Sequence, residues 1–134
     1  MILDKIKSRG EEMAPLEGHD RLQYIIDLAK DVPPLSEEHK IEENKIRGCV
    51  SSLWVVGKAN DDGTMSYQHD AESYMTKGTA KVIVDIVNGE HRSEIANLNL
   101  ENFRELGIKE LLTMQRQVGF ASLIQRIIGI AQNG

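Results

Sequence analysis

The sequence predicts an α+β fold, in which helices pack against one small antiparallel sheet built on a β-hairpin. The hairpin is predicted because two strand-like runs are separated by Asn60-Asp61-Asp62-Gly63, a sequence typical of tight turns. The segments before and after this hairpin repeat apolar residues at helical spacing. A helix, a hairpin and then several helices is the element order expected for a small sheet covered by helices on one face.

The first strong helix is predicted from Asp20 to Lys30. Asp20 is its expected N-cap, because a carboxylate there accepts hydrogen bonds from the first backbone N–H groups. Pro33-Pro34 stops the helix, since proline has no backbone N–H with which to continue it. The apolar residues fall at i, i+3, i+4 and i+7 and predict one buried face, formed by Leu22, Ile25, Ile26 and Ala29.

The next segment, from Ser36 to Asn44, is polar and carries four glutamates, Glu37, Glu38, Glu42 and Glu43. One interpretation is a solvated loop or a short surface helix. Another is an acidic patch that docks a partner. Charge alone does not separate the two, because both interpretations place carboxylates at the surface.

The two hairpin strands are predicted from Val50 to Lys58 and from Thr64 to about His69. The first has apolar side chains on both faces, which predicts a strand that is covered on both sides. The second is predicted to be half exposed, because polar residues alternate with Met65, Tyr67 and His69. Residues from Lys45 to Gly48 are a candidate for a short third strand.

The rest of the chain is predicted to be helical. The segment from Glu72 to Asn88 is rich in β-branched residues, but its length and its helical spacing favour a helix that ends at Asn88-Gly89. A short helix is predicted from Leu100 to Leu106, closed by Gly107. The last helix is predicted from about Arg116 to Ala131, with a continuous apolar face of Phe120, Leu123, Ile124, Ile127, Ile128 and Ala131.

Length and composition limit the function. The chain has 134 residues, 40% of them hydrophobic, which predicts a single soluble domain with a real core. Lysine and arginine total 16 and aspartate and glutamate 21, so the net charge of −5 argues against a nucleic-acid partner. No apolar run approaches the roughly 20 residues that span a bilayer, which predicts no membrane segment. One cysteine and no signal peptide indicate the reducing cytoplasm.

The single cysteine, Cys49, is the main candidate for chemistry. It has no second cysteine with which to form an intramolecular disulfide or to hold zinc. Two interpretations remain open. One is a nucleophilic thiol, whose pKa the basic neighbours Lys45 and Arg47 would lower and whose loop Gly48 would leave free to adopt unusual backbone shapes. The other is a small buried hydrophobe, because free cysteine is among the most buried residue types.

Other kinds of site have weaker support. The four histidines show no metal-binding spacing, so no metal site is predicted: His19, His39, His69 and His91. A Cys-His hydrolase would need a histidine beside Cys49, which the sequence neither shows nor excludes. Lys77-Gly78 lacks the strand-loop-helix context of a nucleotide site. Arg116, near the start of the last helix, opposes the helix dipole, which is a mild indication of function against the alternative of a solvated arginine.

The run from Asn44 to Val56 resembles the active-cysteine segment of the SufE-like family. The family pattern there is Asn, two or three residues, Gly-Cys, usually Gln, Ser, one residue, an aliphatic residue and Trp. This chain has the Asn, Gly-Cys, Ser, aliphatic and Trp positions. It departs from the pattern at Val50, where the family usually carries Gln.

The resemblance extends along nearly the whole chain. The run from Tyr24 to Leu28 resembles the family's first helix, and the run from Asp70 to Gly78 resembles its acidic turn leading into Lys-Gly. The run from Leu112 to Gly119 resembles a Leu-Ser/Thr-Pro-Ser-Arg segment before the last helix. Met114-Gln115 replaces Pro-Ser there, while Arg116 is retained.

The resemblance implies a SufE/IscU-like fold and a sulfur carrier. A cysteine desulfurase would hand persulfide sulfur to Cys49, which would pass it to a scaffold for iron-sulfur clusters. Pyridoxal phosphate would belong to the desulfurase, so no cofactor and no independent turnover are expected of this chain. Gly48 would support Cys49, Arg116 and Arg47 would favour the thiolate or contact the partner, and two residues would shape the turn behind the loop, Glu72 and Lys77. The free protein is expected to shelter Cys49.

The main alternative is a metal-binding cluster scaffold of the IscU type, although such a site normally takes several cysteines. An independent cysteine hydrolase is the third possibility. The sequence leaves open which desulfurase is the partner, which protein accepts the sulfur, and the oligomeric state.

Overall fold

A computed structural model describes residues 2–48, 51–108 and 112–133. It confirms the predicted α+β class: one two-stranded antiparallel sheet is packed by helices. In chain order the elements are α1 (Ile2–Met13), α2 (Gly18–Ala29), two 3₁₀ turns (Glu37–His39 and Glu42–Asn44), β1 (Leu53–Ala59), β2 (Met65–Ala71), α3 (Tyr74–Val87), α4 (Arg92–Ala96), a 3₁₀ helix (Leu100–Leu106) and α5 (Met114–Asn133).

The predicted hairpin is confirmed, with Leu53 opposite Ala71 and Ala59 opposite Met65. Its turn is closed by the Asn60 N–H, which donates to the carbonyl of Thr64 at 2.7 Å. β1 begins at Leu53, three residues later than the predicted start at Val50. Val50 itself lies outside the described residues. β2 continues two residues beyond its predicted end, because its last residues still pair with the start of β1.

The two faces of the sheet differ in burial. α3 packs against β2 and α5 against β1. On the face that forms the core, five side chains are buried: Leu53, Val55, Met65, Tyr67 and His69. The Tyr67 hydroxyl donates to the carbonyl of Ile127 at 2.8 Å and ties the sheet to α5. On the other face Trp54 and Val56 are only half-buried and Gln68 is exposed, so the start of β1 is buried on one side and half-buried on the other.

The candidate third strand reduces to a single bridge. Lys45 pairs with Trp54, and the Ile46 N–H donates to the carbonyl of Leu53 at 2.8 Å. The pairing does not continue, because the chain turns at Gly48, whose φ is +84°. The polar segment before it forms the two 3₁₀ turns with exposed glutamates, which is compatible with both interpretations of this segment.

Helix α2 begins at Gly18, two residues earlier than predicted, and its N-cap residue is Glu17. The prediction that Asp20 is the N-cap is therefore wrong. Asp20 lies in the first turn and its N–H donates to the carbonyl of Glu17, where its carboxylate favours the helix dipole. The helix ends at Ala29, before Pro33-Pro34, as predicted.

Helix α1 was not predicted, although it supplies buried Ile2, Ile6 and Met13. It packs against the Leu100–Leu106 helix and α3. A Cβ on its Gly10 would lie 2.5 Å from the carbonyl oxygen of Glu105, so glycine is what permits this close contact. Helix α4 lies in the C-terminal part of the chain that was predicted to be helical, although its bounds were not; the ring of His91 caps it by accepting the N–H of Ser93.

The C-terminal helices agree with the sequence. α3 is a helix despite its β-branched residues, with Ser73 as N-cap and a stop at Asn88-Gly89. The short Leu100–Leu106 helix is closed by Gly107 with φ of +67°. α5 extends two residues beyond each predicted end, so Arg116 is its third residue. Among the described residues, none of these helices has both the length and the apolar character that crossing a membrane requires.

Candidate functional site

Cys49 lies outside the described residues, and so does Val50. The thiol's reactivity and shelter therefore stay predictions. The residues on either side of this pair are described, and they show where the chain enters and leaves the segment that carries the cysteine.

Gly48, directly before Cys49, lies against helix α5. Its φ of +84° is in the left-handed region, which favours glycine. A Cβ at this position would lie 2.9 Å from Cγ1 of Val118 and 3.8 Å from Oγ of Ser122. Any other residue would therefore combine backbone strain with a clash against α5, and glycine lets the loop approach the helix this closely.

Ser51, two residues after Cys49, is fastened to the first turn of α3. Its hydroxyl lies 3.0 Å from Oγ1 of Thr76 and 3.4 Å from Oγ of Ser73. Ser73 and Thr76 are also joined to each other, at 2.9 Å, and the Ser73 oxygen accepts the N–H of Thr76 as the helix cap. The segment carrying Cys49 therefore runs between an attachment on α5 and an attachment on α3.

Arg116 lies at the cleft between these two helices. It is half-buried in the first turn of α5, and its backbone N–H donates a hydrogen bond to Oγ1 of Thr113 at 3.3 Å. The cleft is mostly apolar, and Thr76 of the hydroxyl cluster also lines it. The described residues that line it are Leu53, Met75, Thr76, Thr79, Ala80, Leu112, Arg116, Gly119, Phe120 and Leu123. The structure thus brings Arg116 to the cleft that the cysteine segment borders through Ser51.

Large apolar side chains are exposed around the same place. Tyr74 is 59% exposed, Met114 78% and Val118 56%. Tyr74 follows the cap of α3, Val118 contacts Gly48, and Met114 lies one turn before Val118 on α5. We call these three residues the apolar rim. Large apolar side chains that are exposed next to a candidate site are typical of protein-protein contact surfaces.

Arg47 is exposed and lies on a different depression from Arg116. It lines a groove along the second half of α5, together with Ile46, Ser122 and Arg126. The structure therefore does not place the two predicted arginines on one surface feature. Arg126, which the sequence analysis did not single out, contacts the backbone before Cys49.

Lys77 binds a buried carboxylate. Its ammonium group lies 3.0 Å from Asp70 Oδ1, and Lys40 lies 3.2 Å from Asp70 Oδ2. The same carboxylate accepts the backbone N–H groups of Leu35 at 3.1 Å and Ala71 at 2.8 Å. Burial raises the pKa of Asp70, but these hydrogen bonds and cations outweigh it and hold that pKa well below its usual range. Lys77 thus supports the end of β2, in keeping with a role in shaping the turn.

Glu72 takes part in this turn through its backbone. Its N–H donates to the carbonyl of Ser52 at 3.0 Å, which prolongs the hairpin by one hydrogen bond, while its side chain is exposed. The neighbouring His69 is buried in β2, with Nε2 3.3 Å from the carbonyl oxygen of Lys77. Burial lowers the pKa of His69. Within the part of the chain that the structure describes, no three His, Asp or Glu side chains are grouped to hold a metal ion.

Comparison with known proteins identifies the family that this chain matches. Residues 8–131 match the SufE family, described as an Fe-S metabolism associated domain. An uncharacterized SufE-like protein of Rhizobium etli is 36% identical over 115 residues, which cover 83% of this chain and 78% of that protein. A second one, from Rhizobium meliloti, is 32% identical over 115 residues, covering 83% of this chain and 82% of that protein.

The fold is also found in a solved structure. The solution structure of a hypothetical protein from Thermus thermophilus superposes with a TM-score of 0.79. The match covers 96% of this chain and 94% of that one, at 19% sequence identity. At this identity the likeness concerns the fold alone.

Proposed function

The chain belongs to the SufE family, which is associated with iron-sulfur metabolism, and on that premise we propose that it carries sulfur on Cys49. A cysteine desulfurase donates the sulfur and is stimulated by its removal. The acceptor that follows is a scaffold on which iron-sulfur clusters are assembled. Pyridoxal phosphate belongs to the desulfurase, and the reducing cytoplasm, where a free thiol persists, is the expected compartment.

One observation supports this proposal: the chain meets a helix on both sides of its only cysteine. Gly48 lies on α5 and Ser51 is bonded to the start of α3. A thiol that must meet a visiting protein benefits from flanking residues in fixed positions, and these two contacts fall within four residues of the chain.

The transfer step is a thiol-disulfide exchange. The Cys49 thiolate attacks the outer sulfur of the persulfide held by the desulfurase. A new S–S bond forms on Cys49 as the S–S bond of the donor breaks, and the donor cysteine leaves as a thiolate. No external oxidant or reductant is needed. Arg116 supports the thiolate and the persulfide through its positive charge at the bordering cleft.

The apolar rim is the proposed contact surface for the desulfurase. Tyr74, Met114 and Val118 are exposed in the free protein and lie beside the two attachments of the cysteine segment. Covering them with the partner would remove apolar surface from water and would bring the donor persulfide to this end of the molecule. The proposal thus places docking and chemistry on one surface.

The test is an intact-mass measurement after incubation with free cysteine and a cysteine desulfurase. The expected result is one added sulfur atom on the wild-type chain, none on Cys49→Ser, and faster alanine production only with the wild-type chain. Stoichiometric iron or zinc on the purified protein would support the cluster scaffold instead. Turnover of a thioester without any partner would support the hydrolase. Wild-type mass unchanged in the presence of an active desulfurase would overturn the proposal.

A further inference from the structure

We propose that Arg126 is a positioning residue for the loop that leads to Cys49, because it fixes the backbone before Gly48. The inference rests on the proposed function for its meaning, since that function makes the loop important. That the guanidinium group of Arg126 holds this loop on α5 can be tested on the isolated protein, without any desulfurase.

The two hydrogen bonds of Arg126 reach across the molecule. Nη1 donates to the carbonyl oxygen of Glu43 at 3.0 Å, and Nη2 donates to that of Lys45 at 3.3 Å. These carbonyls lie at the end of the second 3₁₀ turn, where the last carbonyls of a helix have no intrahelical partner. Because the guanidinium fork is planar, two bonds fix both the distance and the orientation of this backbone.

The loop follows one face of α5. Val118, Ser122 and Arg126 are spaced by four residues and therefore share a stripe of that helix. Gly48 lies against the first two, and the carbonyls of residues 43 and 45 are bonded to the third. The segment from 43 to 48 is thus held to α5 at two places. Freeing the Arg126 end leaves the Gly48 end of this segment with fewer restraints.

The charge of Arg126 is directed to these carbonyls. Within the described ranges, no carboxylate lies within ion-pair distance of it, unlike Arg104, which pairs with Glu101 at 3.0 Å. A lysine at 126 would keep the positive charge but lacks the second donor group of the fork. Arg126→Lys therefore distinguishes the positive charge from the two-point hydrogen bonding. If only the charge matters, the lysine variant behaves like the wild type. If the fork orients the loop, the lysine variant is partly impaired.

The first measurement is the rate of Cys49 alkylation by iodoacetamide as a function of pH, on the protein alone. In Arg126→Ala the rate constant at the high-pH plateau is expected to fall by about fivefold, because the loop loses two charge-assisted bonds and with them part of its fixed geometry. Arg126→Lys is expected to give an intermediate value. Arg104→Ala removes an exposed arginine elsewhere on the surface and is the matched control, which should alkylate like the wild type.

The second measurement is hydrogen exchange at the amide of Ile46, which donates to Leu53 inside the held segment. Its exchange is expected to accelerate by about tenfold in Arg126→Ala and less in Arg126→Lys. If Arg126→Ala does not fold, the alkylation rate and the Ile46 exchange rate of Arg126→Lys are compared with those of the wild type instead. Wild-type alkylation and wild-type Ile46 exchange in a folded Arg126 variant would overturn the inference, even if the melting temperature fell.

Sulfur loading by a desulfurase separates this inference from the proposed function. Loading of the wild type that slows in Arg126→Ala in step with alkylation supports both. Absence of loading in the wild type overturns the proposed function, while the alkylation and exchange results still decide the role of Arg126.

Discussion

At the scale of single residues, Asp70 shows how a buried charge is accommodated in a small protein. Four donors surround its carboxylate, two backbone N–H groups and the ammonium groups of Lys40 and Lys77. Lys40 also lies over the ring of Trp54 at 5.6 Å, and Lys77 over that of Tyr74 at 5.9 Å. The carboxylate thus joins the segment before β1, the sheet and the start of α3.

Replacing Asp70 with asparagine is expected to cost about 3 kcal/mol in the free energy of unfolding, because two half-buried lysines lose their counter-charge. The effect depends on pH. The pKa of Asp70 is lowered on folding, so its stabilisation is complete above its unfolded pKa of about 4 and is lost as pH falls below it. Urea unfolding between neutral and acid pH checks this.

The wild type and Asp70→Asn should therefore differ most near neutral pH and converge in acid. Asp31→Asn, at an exposed position, is the control and is expected to follow the wild type at every pH. A constant difference between the wild type and Asp70→Asn down to strong acid would contradict the assignment.

His69 gives a second pH dependence, in a higher range. Burial lowers its pKa, so the unfolded chain takes up a proton before the folded chain does. The stabilisation from neutral His69 is complete above its unfolded pKa of about 6.5 and decreases as pH falls through that value. His69→Gln is expected to remove this step from the unfolding free energy, whereas His19→Gln, at an exposed position, should keep it. An unchanged step in His69→Gln would assign it to another group.

The sequence predicts some of these residues and not others. Cys49, Gly48 and the turn glycine Gly63 are evident from local patterns, because their significance depends on adjacent residues. Asp70 and Arg126 are not evident, since their partners come from distant parts of the chain. Arg126 meets backbone carbonyls 83 and 81 residues earlier, and carbonyl groups leave no signature in a sequence.

At the scale of elements, the packing of α2 on α3 depends on one glycine. A Cβ on Gly78 would overlap the carbonyl oxygen of Ile25 and lie 2.8 Å from its carbonyl carbon. Because both atoms belong to the backbone, a side chain at this position forces the two helices apart. Lys77-Gly78 therefore lies within α3, where the glycine serves the packing of α2 on α3.

Gly78→Ala is accordingly expected to destabilise the protein by about 3 kcal/mol, the upper range of overpacking effects. Gly129→Ala is the matched control, since Gly129 is also inside a helix and no described atom lies within 4 Å of an added Cβ. That substitution should stabilise by about 0.5–1 kcal/mol through helix propensity. Thermal unfolding of both variants gives the comparison. If Gly78→Ala and Gly129→Ala change the stability equally, α2 and α3 can move apart without a loss of stability.

Helix prediction succeeded or failed according to how continuous the apolar face is. α3 and α5 carry long apolar faces and were predicted, although α3 is rich in β-branched residues. In α1 no apolar residue stands between Ile6 and Met13, and the helix depends on polar contacts, such as Arg9 with the Tyr24 hydroxyl at 2.6 Å and with Asp85 at 3.5 Å. Such contacts require the folded protein, so α1 has a weak pattern in the sequence.

At the scale of the whole molecule, the candidate site is assembled from three distant segments. The cysteine loop, the start of α3 and the first half of α5 meet although they are about 25 and 70 residues apart in sequence. The sheet has only two strands, so it contributes the hairpin that holds the loop rather than the surface itself. The apolar rim is therefore a property of the fold, and no single sequence run predicts it.

Met114 provides the test of that surface. It is 78% exposed, and it stands where the family resemblance leads one to expect proline. Met114→Glu is expected to raise by about tenfold the concentration that half-maximally stimulates a cysteine desulfurase, because burying a charge in place of a methionine costs at least about 1.4 kcal/mol. The maximal stimulation and the rate of Cys49 alkylation should be unchanged, since the chemistry does not use this side chain.

Leu3→Glu, on α1, is the control for a general effect of added charge, because Leu3 is 58% exposed and belongs to a different element. It should leave the half-maximal concentration at the wild-type value. If Leu3→Glu weakens stimulation as much as Met114→Glu does, the desulfurase does not dock on the apolar rim. If saturating Met114→Glu gives a lower maximal desulfurase rate while Cys49 alkylation is unchanged, Met114 contributes to the transfer step rather than to docking.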